Sequence, residues 1–200
     1  MPVPLLEIPS SPPPPIPERK RWTRAELRVL EASDLFHQER VELIEGELIR
    51  KMGKKRRHVS TLTLLRAWMT RVFTDEFVDT EAPIDVAAED NPLNEPEPDL
   101  IVLNRPTSTF DQNPAPRDLQ LVVEIADSSL AFDLNTKAIL YARAAIVEYW
   151  VVDVACRRLI VHRRPQGGRY ESVIAYGDSE MVTPLAAPNH QFAIAAIFPA

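Results

Sequence analysis

The sequence predicts a single α/β domain, and two stretches carry that prediction. Residues 119–153, LQLVVEIADSSLAFDLNTKAILYARAAIVEYWVVD, run as strand, turn, helix and strand. A crossover of that length makes its two strands parallel neighbours in one sheet. Residues 157–164 and 169–175 flank Gly167 and Gly168, the pattern of a β-hairpin. A chain of 200 residues, 45% of them hydrophobic, suffices for one such domain with a sizeable core.

In the crossover unit, residues 120–126 are apolar, rich in β-branched side chains and too few for a helix of their own. Glu124 sits in their middle, and a carboxylate there needs a partner. Asp127, Ser128 and Ser129 offer side-chain caps to the following helix. In that helix Asp133, Lys137 and Tyr141 recur every four residues, forming one polar stripe that can face the strand's end. Residues 146–154, IVEYWVVDV, resume the β pattern.

From the N-terminus, residues 1–20 contain Pro2, Pro4, Pro9, Pro12 to Pro15 and Pro17. That density blocks helix and sheet pairing and favours polyproline II, so a disordered arm is expected, with the domain at 21–200. Pro14, Pro17 and Arg19 match a PxxPxR docking pattern, but proline-rich tails match such patterns by chance and no function is assigned. Thr23 with Glu26 makes a capping box; the helix it starts carries Leu27 and Leu30 on one side and ends near Ser33. Residues 41–50, VELIEGELIR, alternate acidic and apolar around Gly46, which predicts strand, turn and strand with one face buried. Glu42, Glu45 and Glu47 are the acids there.

Lys51, Lys54, Lys55, Arg56, Arg57 and His58 precede an amphipathic helix with Val59, Leu62, Leu65, Met69 and Val72 at helical spacing. A basic run at a helix N-terminus opposes the macrodipole, so it is either an anion patch or a solvated loop. Residues 77–87 alternate as a strand, and 91–98 form a proline-punctuated loop. Asp99 opens DLIVLN, a placement that suits a metal ligand at a sheet edge and equally an ordinary strand start after a turn. A polar connection at 104–118 and a short apolar segment at 189–200 complete the chain.

Composition narrows the function. A net charge of −6 disfavours indiscriminate coating of nucleic acid, yet leaves room for a local basic groove. Cys156 is the one cysteine, so neither a disulfide framework nor a thiolate zinc site is expected, and the cytoplasm is the expected location. No apolar run reaches the roughly 18 residues of a membrane span, and no signal-peptide layout opens the chain. None of the five glycines falls in a phosphate-cradling loop.

Asp99 at one strand start, Glu124 in a second strand and Lys137 on the next helix form a constellation. Two carboxylates brought together repel unless a cation sits between them, and hard oxygen donors suit Mg²⁺ or Mn²⁺. Completed by a backbone carbonyl and waters, such a metal polarises a phosphodiester and lowers the pKa of a bound water. A lysine beside it stabilises developing charge or orients the water.

PEPDLIVL followed by LVVEIADSSLAFDLNTKAILYARAAIVEYWVVD resembles the PD-(D/E)XK nuclease superfamily, and more closely the Uma-type family of putative restriction endonucleases. The likeness runs from Val41 to the C-terminus, through VELIEGEL, the helix beginning at His58, and GDSEMVTPL. It implies a restriction-endonuclease-like core, a central mixed β-sheet flanked by helices. It makes Pro98 and Asp99 the PD of the signature and Glu124 its second acid. Two residues after Glu124 the signature's lysine is replaced by Ala126; the resemblance moves the basic role to Lys137, in the DxxxKxxxY of Asp133, Lys137 and Tyr141. Lys137 also has a structural role open to it, as an i,i+4 partner of Asp133 worth ~0.2–0.5 kcal/mol in an isolated helix. The active-site role is preferred because the stripe follows a strand with an otherwise unexplained carboxylate. Glu47 is the third acid on this resemblance, with Glu45 beside it. Tyr141 holds Lys137 or a phosphate, or caps the core. His58 reads as a helix-start or structural histidine, since no second His or Cys lies at a metal-binding spacing.

The expected function is a Mg²⁺- or Mn²⁺-dependent endonuclease cutting phosphodiester bonds. Asp99, Glu124 and the Ile125 carbonyl would hold the metal, Lys137 would support the water or phosphate, and Lys51, Lys54, Lys55, Arg56 and Arg57 would hold a nucleic-acid backbone. DNA enters as substrate by resemblance alone. A homodimer is expected because cutting two strands is simplest with a two-fold. Ala126 and the acidic charge motivate an alternative, a non-catalytic nucleic-acid-binding or assembly module. A third reading is a hydrolase using Glu124 as general base without metal.

Overall fold

Thr23 begins the first helix, α1 (Arg24–Ala32), through the predicted capping box: its hydroxyl accepts from the Glu26 amide, and the Glu26 carboxylate accepts from the Thr23 amide. The computed structural model describes residues 18–33, 36, 39–51 and 53–199. The proline-rich arm expected over 1–20 lies outside them except for 18–20. Strands β1 (Val41–Ile44) and β2 (Glu47–Arg50) form the predicted hairpin. Its turn residues Glu45 and Gly46 have φ of 53° and 79°, the two-residue turn whose twist suits the strands. A Cβ at Gly46 would stand 2.8 Å from the Arg21 Cβ, so the close approach of the chain also requires glycine.

Helix α2 (Arg56–Phe73) starts two residues before His58 and takes Arg56 and Arg57 into its first turn. It buries His58, Thr61, Leu65 and Met69, whereas Val59, placed in the apolar stripe by its spacing, is exposed. Leu65 and Met69 are fully buried, each contributing about 1.5–3 kcal/mol. The strand expected over 77–87 reduces to β3 (Val78–Asp79). Glu81 turns the chain with a φ of 56°, and Pro83 has no N–H for a ladder. Ile84 and Asp85 donate instead to the carbonyls of Pro96 and Pro114.

Strands β4 (Leu100–Leu103) and β5 (Leu119–Ala126) pair antiparallel. Beyond β5, the Ser129 side chain does not cap a helix amide as expected; its hydroxyl donates to the Asp133 carboxylate at 2.6 Å. Helix α3 (Leu130–Phe132) passes through a π-turn (Asp133–Lys137) directly into α4 (Ala138–Arg143). Strand β6 (Glu148–Asp153) then runs parallel to β5, from Val122 opposite Tyr149 to Ala126 opposite Asp153, as the crossover predicts. Strands β7 (Arg158–Gln166) and β8 (Arg169–Gly177) are the predicted second hairpin. Strands β9 (Met181–Val182) and β10 (Phe192–Ala193) make a small antiparallel pair.

The central sheet has the order β3-β4-β5-β6-β7-β8 and is mixed, with β5 and β6 its parallel pair. On one face Leu65 and Met69 of α2 pack with Val123, Trp150 and Phe192. On the other, Ile44 of β1 and Tyr141 of α4 pack with Val122 and Tyr149. Helices thus flank a mixed sheet, the α/β class the sequence predicts. Among the described residues no helix is long and apolar enough to cross a membrane.

Candidate active site

Asp99 lies one residue before β4, whose Leu100 is opposite Val123 of β5. The antiparallel register therefore brings its carboxylate to the Glu124 end of β5. Asp99 Oδ2 accepts from the Ile125 amide at 2.8 Å. Lys54 Nζ lies 3.3 Å and His58 Nε2 3.2 Å from Asp99 Oδ1. The His58 nitrogen is close but makes no hydrogen bond of normal geometry. Burial pushes the Asp99 carboxyl up, but His58, the Ile125 amide and Lys54 outweigh it and hold it at about 2.

Glu124 is buried in β5, and one of its oxygens, Oε1, takes two bonds: from Lys137 Nζ at 2.9 Å and from the Tyr141 hydroxyl at 3.0 Å. Both donors come from the helical segment laid across the strand, Lys137 as the last residue of the π-turn and Tyr141 one turn later. Lys137 is 3% exposed and also lies 2.9 Å from Glu42 Oε2, on β1. The Tyr149 hydroxyl donates to the Asp133 carbonyl at 3.1 Å and so holds the π-turn to β6.

Three acids, Glu42, Glu124 and Asp133, surround this one buried ammonium, and Asp99 stands beside Glu124. Burial pushes the Glu124 carboxyl up; Lys137 opposes that, but Asp133, Asp99 and Glu42 add to it, and the group stands at about 8. Burial likewise raises Asp133 to about 6 against the pull of Lys137 and Ser129. Burial alone would lower Lys137, but Glu124, Glu42 and Asp133 hold it well above the ordinary lysine value, so it stays charged. Burial, with Glu124 adjacent, raises the Tyr141 hydroxyl far above the ordinary value and keeps it a donor.

The structure thus gathers Asp99, Glu124, Ile125, Lys137 and Tyr141, and it leaves Glu47 out. In the β1–β2 register Glu42 is opposite Ile49 and Ile44 opposite Glu47. Both acids share a face, but Glu47 is at the turn end, about 7 Å farther along the hairpin, with its side chain 64% exposed beside Arg19. Glu45 sits in the turn itself, paired with Arg143 and Arg21. The acid at the cluster is Glu42, which the motif reading passed over although alternation already placed it on the face of Ile44 and Ile49. His58, read as structural, also reaches the cluster. The basic run borders the cluster: Lys51 reaches Glu97, Lys54 lies between Glu81 and Asp99, Lys55 and Arg57 meet Asp127, and Arg56 is exposed.

Among the described residues, no three His, Cys, Asp or Glu side chains converge as a ligand set. The cation that the carboxylates require is in part Lys137, wedged between Glu124 and Glu42. The donors still fit a hard divalent ion. No hydrogen bond among the described residues reaches Glu124 Oε2, since both its partners bond Oε1. Glu42, Glu124 and Asp133 also outnumber the one ammonium they share, which leaves carboxylate oxygens for Mg²⁺ or Mn²⁺ to take. In an extended strand a residue's N–H and C=O project toward the same neighbour, so the Ile125 carbonyl lies on the Asp99 side with its amide.

A putative nuclease belonging to DUF820 from Anabaena variabilis has a similar solved structure, with a TM-score of 0.59, 15% identity, and coverage of 79% of this chain and 89% of that chain. At that identity the likeness speaks for the fold. No curated protein matches the chain. Residues 25–195 match the family model of Uma2, described as "Putative restriction endonuclease"; with so much of its length matched, the chain belongs to that family.

Proposed function

We propose that this protein is a Mg²⁺- or Mn²⁺-dependent endonuclease that hydrolyses phosphodiester bonds of DNA. The observation that carries the reading is the convergence of Lys137 and Tyr141 on Glu124, next to the strand whose start holds Asp99. Two acids and a base meet there although Ala126 stands where the nuclease signature has lysine. A divalent ion held by Asp99, Glu124 and the Ile125 carbonyl would polarise a phosphoryl oxygen and acidify a bound water. Asp99, held ionised by its three neighbours, keeps its charge throughout the physiological range. The Lys137 ammonium stabilises charge building on the phosphoryl oxygens or orients the attacking water. Tyr141 fixes the Glu124 carboxylate through Oε1. Arg56 is exposed, and Lys51, Lys54, Lys55 and Arg57, now paired with Glu97, Glu81, Asp99 and Asp127, would exchange those partners for the phosphates of a nucleic-acid backbone. The family description and this basic border support a nucleic acid as substrate.

One observation favours a second reading. Glu124 Oε2 takes no hydrogen bond among the described residues, and burial raises the affinity of this carboxyl for a proton, which suits it to take one from water as the general base of a metal-free hydrolase. Calorimetric titration of Mg²⁺ and Mn²⁺ into wild type and Glu124→Gln, followed by plasmid nicking on the same samples, separates the cases. The expected result is binding to wild type alone, with nicking that tracks it. Nicking that persists in excess chelator would favour the metal-free base. Folded protein that neither binds metal nor nicks would be a binding module built on the nuclease fold.

A further inference from the structure

We propose that β8 is a docking edge for a second copy of this chain, the two strands pairing antiparallel about Val173 to join two central sheets into one. This inference does not rest on the endonuclease reading. The sheet's two edges differ sharply: β3 has two residues and β8 has nine. Apart from Gly177, which bonds Glu180, no β8 backbone group bonds outside the sheet among the described residues. Proteins blunt such edges with short strands, lysine, proline, bulges or a covering segment. Strand β8, RYESVIAYG, is long, contains neither lysine nor proline, and carries its two charges, Arg169 and Glu171, within its first three residues.

Val173 and Ile174 are 54% and 50% exposed. As consecutive strand residues they point to opposite faces, so the edge offers apolar surface on both sides of its open backbone. The strand is also complementary to itself. Antiparallel pairing about Val173 sets Ser172 opposite Ile174, Glu171 opposite Ala175, Tyr170 opposite Tyr176 and Arg169 opposite Gly177. All nine residues find partners and no like charges meet, an opposition that would be destabilising. A two-fold of this kind consumes both open edges and closes the assembly, where a head-to-tail contact would propagate.

The test uses the full chain. Light scattering across a wide concentration range should give a dimer for wild type. Val173→Lys and Ile174→Lys, both at exposed positions, should weaken it by about tenfold or more, with unchanged circular dichroism. Register is tested in a Cys156→Ser background, because Cys156 is exposed. On mild oxidation Val173→Cys should link two chains rapidly, since a residue on the axis faces its own copy, whereas Glu171→Cys should not. A wild type that is monomeric at every concentration overturns the proposal. So does a dimer that tolerates both lysines, or one in which the two cysteine variants link equally fast.

Discussion

Lys137 carries more of the fold than its place in a catalytic motif suggests. With Glu124 and Glu42 each 2.9 Å from its ammonium and almost no exposure, it is the buried cation on which both acids depend. Removing one side of a buried ion pair costs about 3–5 kcal/mol, because the other side is left uncompensated. Lys137→Ala should therefore lose both cleavage and stability of that order in urea unfolding without metal, and regain part of the stability when Mg²⁺ is added. Substituting a solvent-exposed lysine in the same motif would lose cleavage with little effect on stability. The burial of Lys137 beneath β1 makes the difference. Glu124 governs the response to pH. Its folded value of about 8 lies above the ordinary 4.5, so its stabilising contribution is complete below 4.5 and is lost as pH rises through 8. Asp133, raised from 3.8 to about 6, acts in the same sense. Asp99, lowered from 3.8 to about 2, acts oppositely: its contribution is present above 3.8 and lost as pH falls through 2. Metal-free protein should thus melt at a lower temperature at pH 8 than at pH 5. Glu124→Gln should flatten that slope, and equal slopes in scanning calorimetry would refute the assignment.

At the scale of elements, the π-turn decides where Lys137 points. The Asp133 carbonyl accepts from the Ala138 amide within the turn and from the Tyr149 hydroxyl of β6. Tyr149→Phe removes the second bond and leaves the ring in the core, so a stability loss of about 1 kcal/mol is expected. Nicking should fall by more than that small loss explains; an unchanged nicking rate in a folded variant would show that the tether does not position Lys137. The turn had no signature in the sequence, because Asp133, Lys137 and Tyr141 at spacings of four fit an ordinary α-helix as well. What could be read were elements fixed by local signals: the Thr23 capping box, the Glu45–Gly46 turn, the apolar run of β5, and the glycine pair between β7 and β8. Of the candidate site residues, Glu124 stands out locally as a carboxylate in an apolar strand, whereas Asp99 and Lys137 fit an ordinary strand start and an ordinary polar stripe and enter through the family resemblance. Choosing Glu42 over Glu47 required knowing which end of the β1–β2 hairpin meets β5. That is a tertiary fact, and both residues have the same acidic, alternating neighbours. Residues 80–87 alternate like a strand, yet Glu81 and Pro83 take them out of the ladder. His58 fitted a helix start, where it does stand, and nothing local showed that the start abuts Asp99.

For the whole molecule, the direction of β8 sets how two sites would work together. Strand β6 is parallel to β5, β7 antiparallel to β6, and β8 antiparallel to β7, so β8 runs with β5. A two-fold that pairs β8 antiparallel with its copy therefore sends the two Glu124 ends to opposite ends of the joined sheet. Seven strand spacings separate one β5 from the other, roughly 34 Å across the strands at about 4.8 Å each. The dimer expected from the sequence rested on a two-fold that presents both sites to the two strands of one duplex, and an edge-paired dimer does not do this. Each site would act alone. On supercoiled plasmid the nicked circle should accumulate before any linear product, and the monomeric Val173→Lys variant should nick at the same rate per site as wild type. Linear product that appears without a nicked intermediate, and disappears with Val173→Lys, would mean that the copies associate through another surface that places both sites on one duplex.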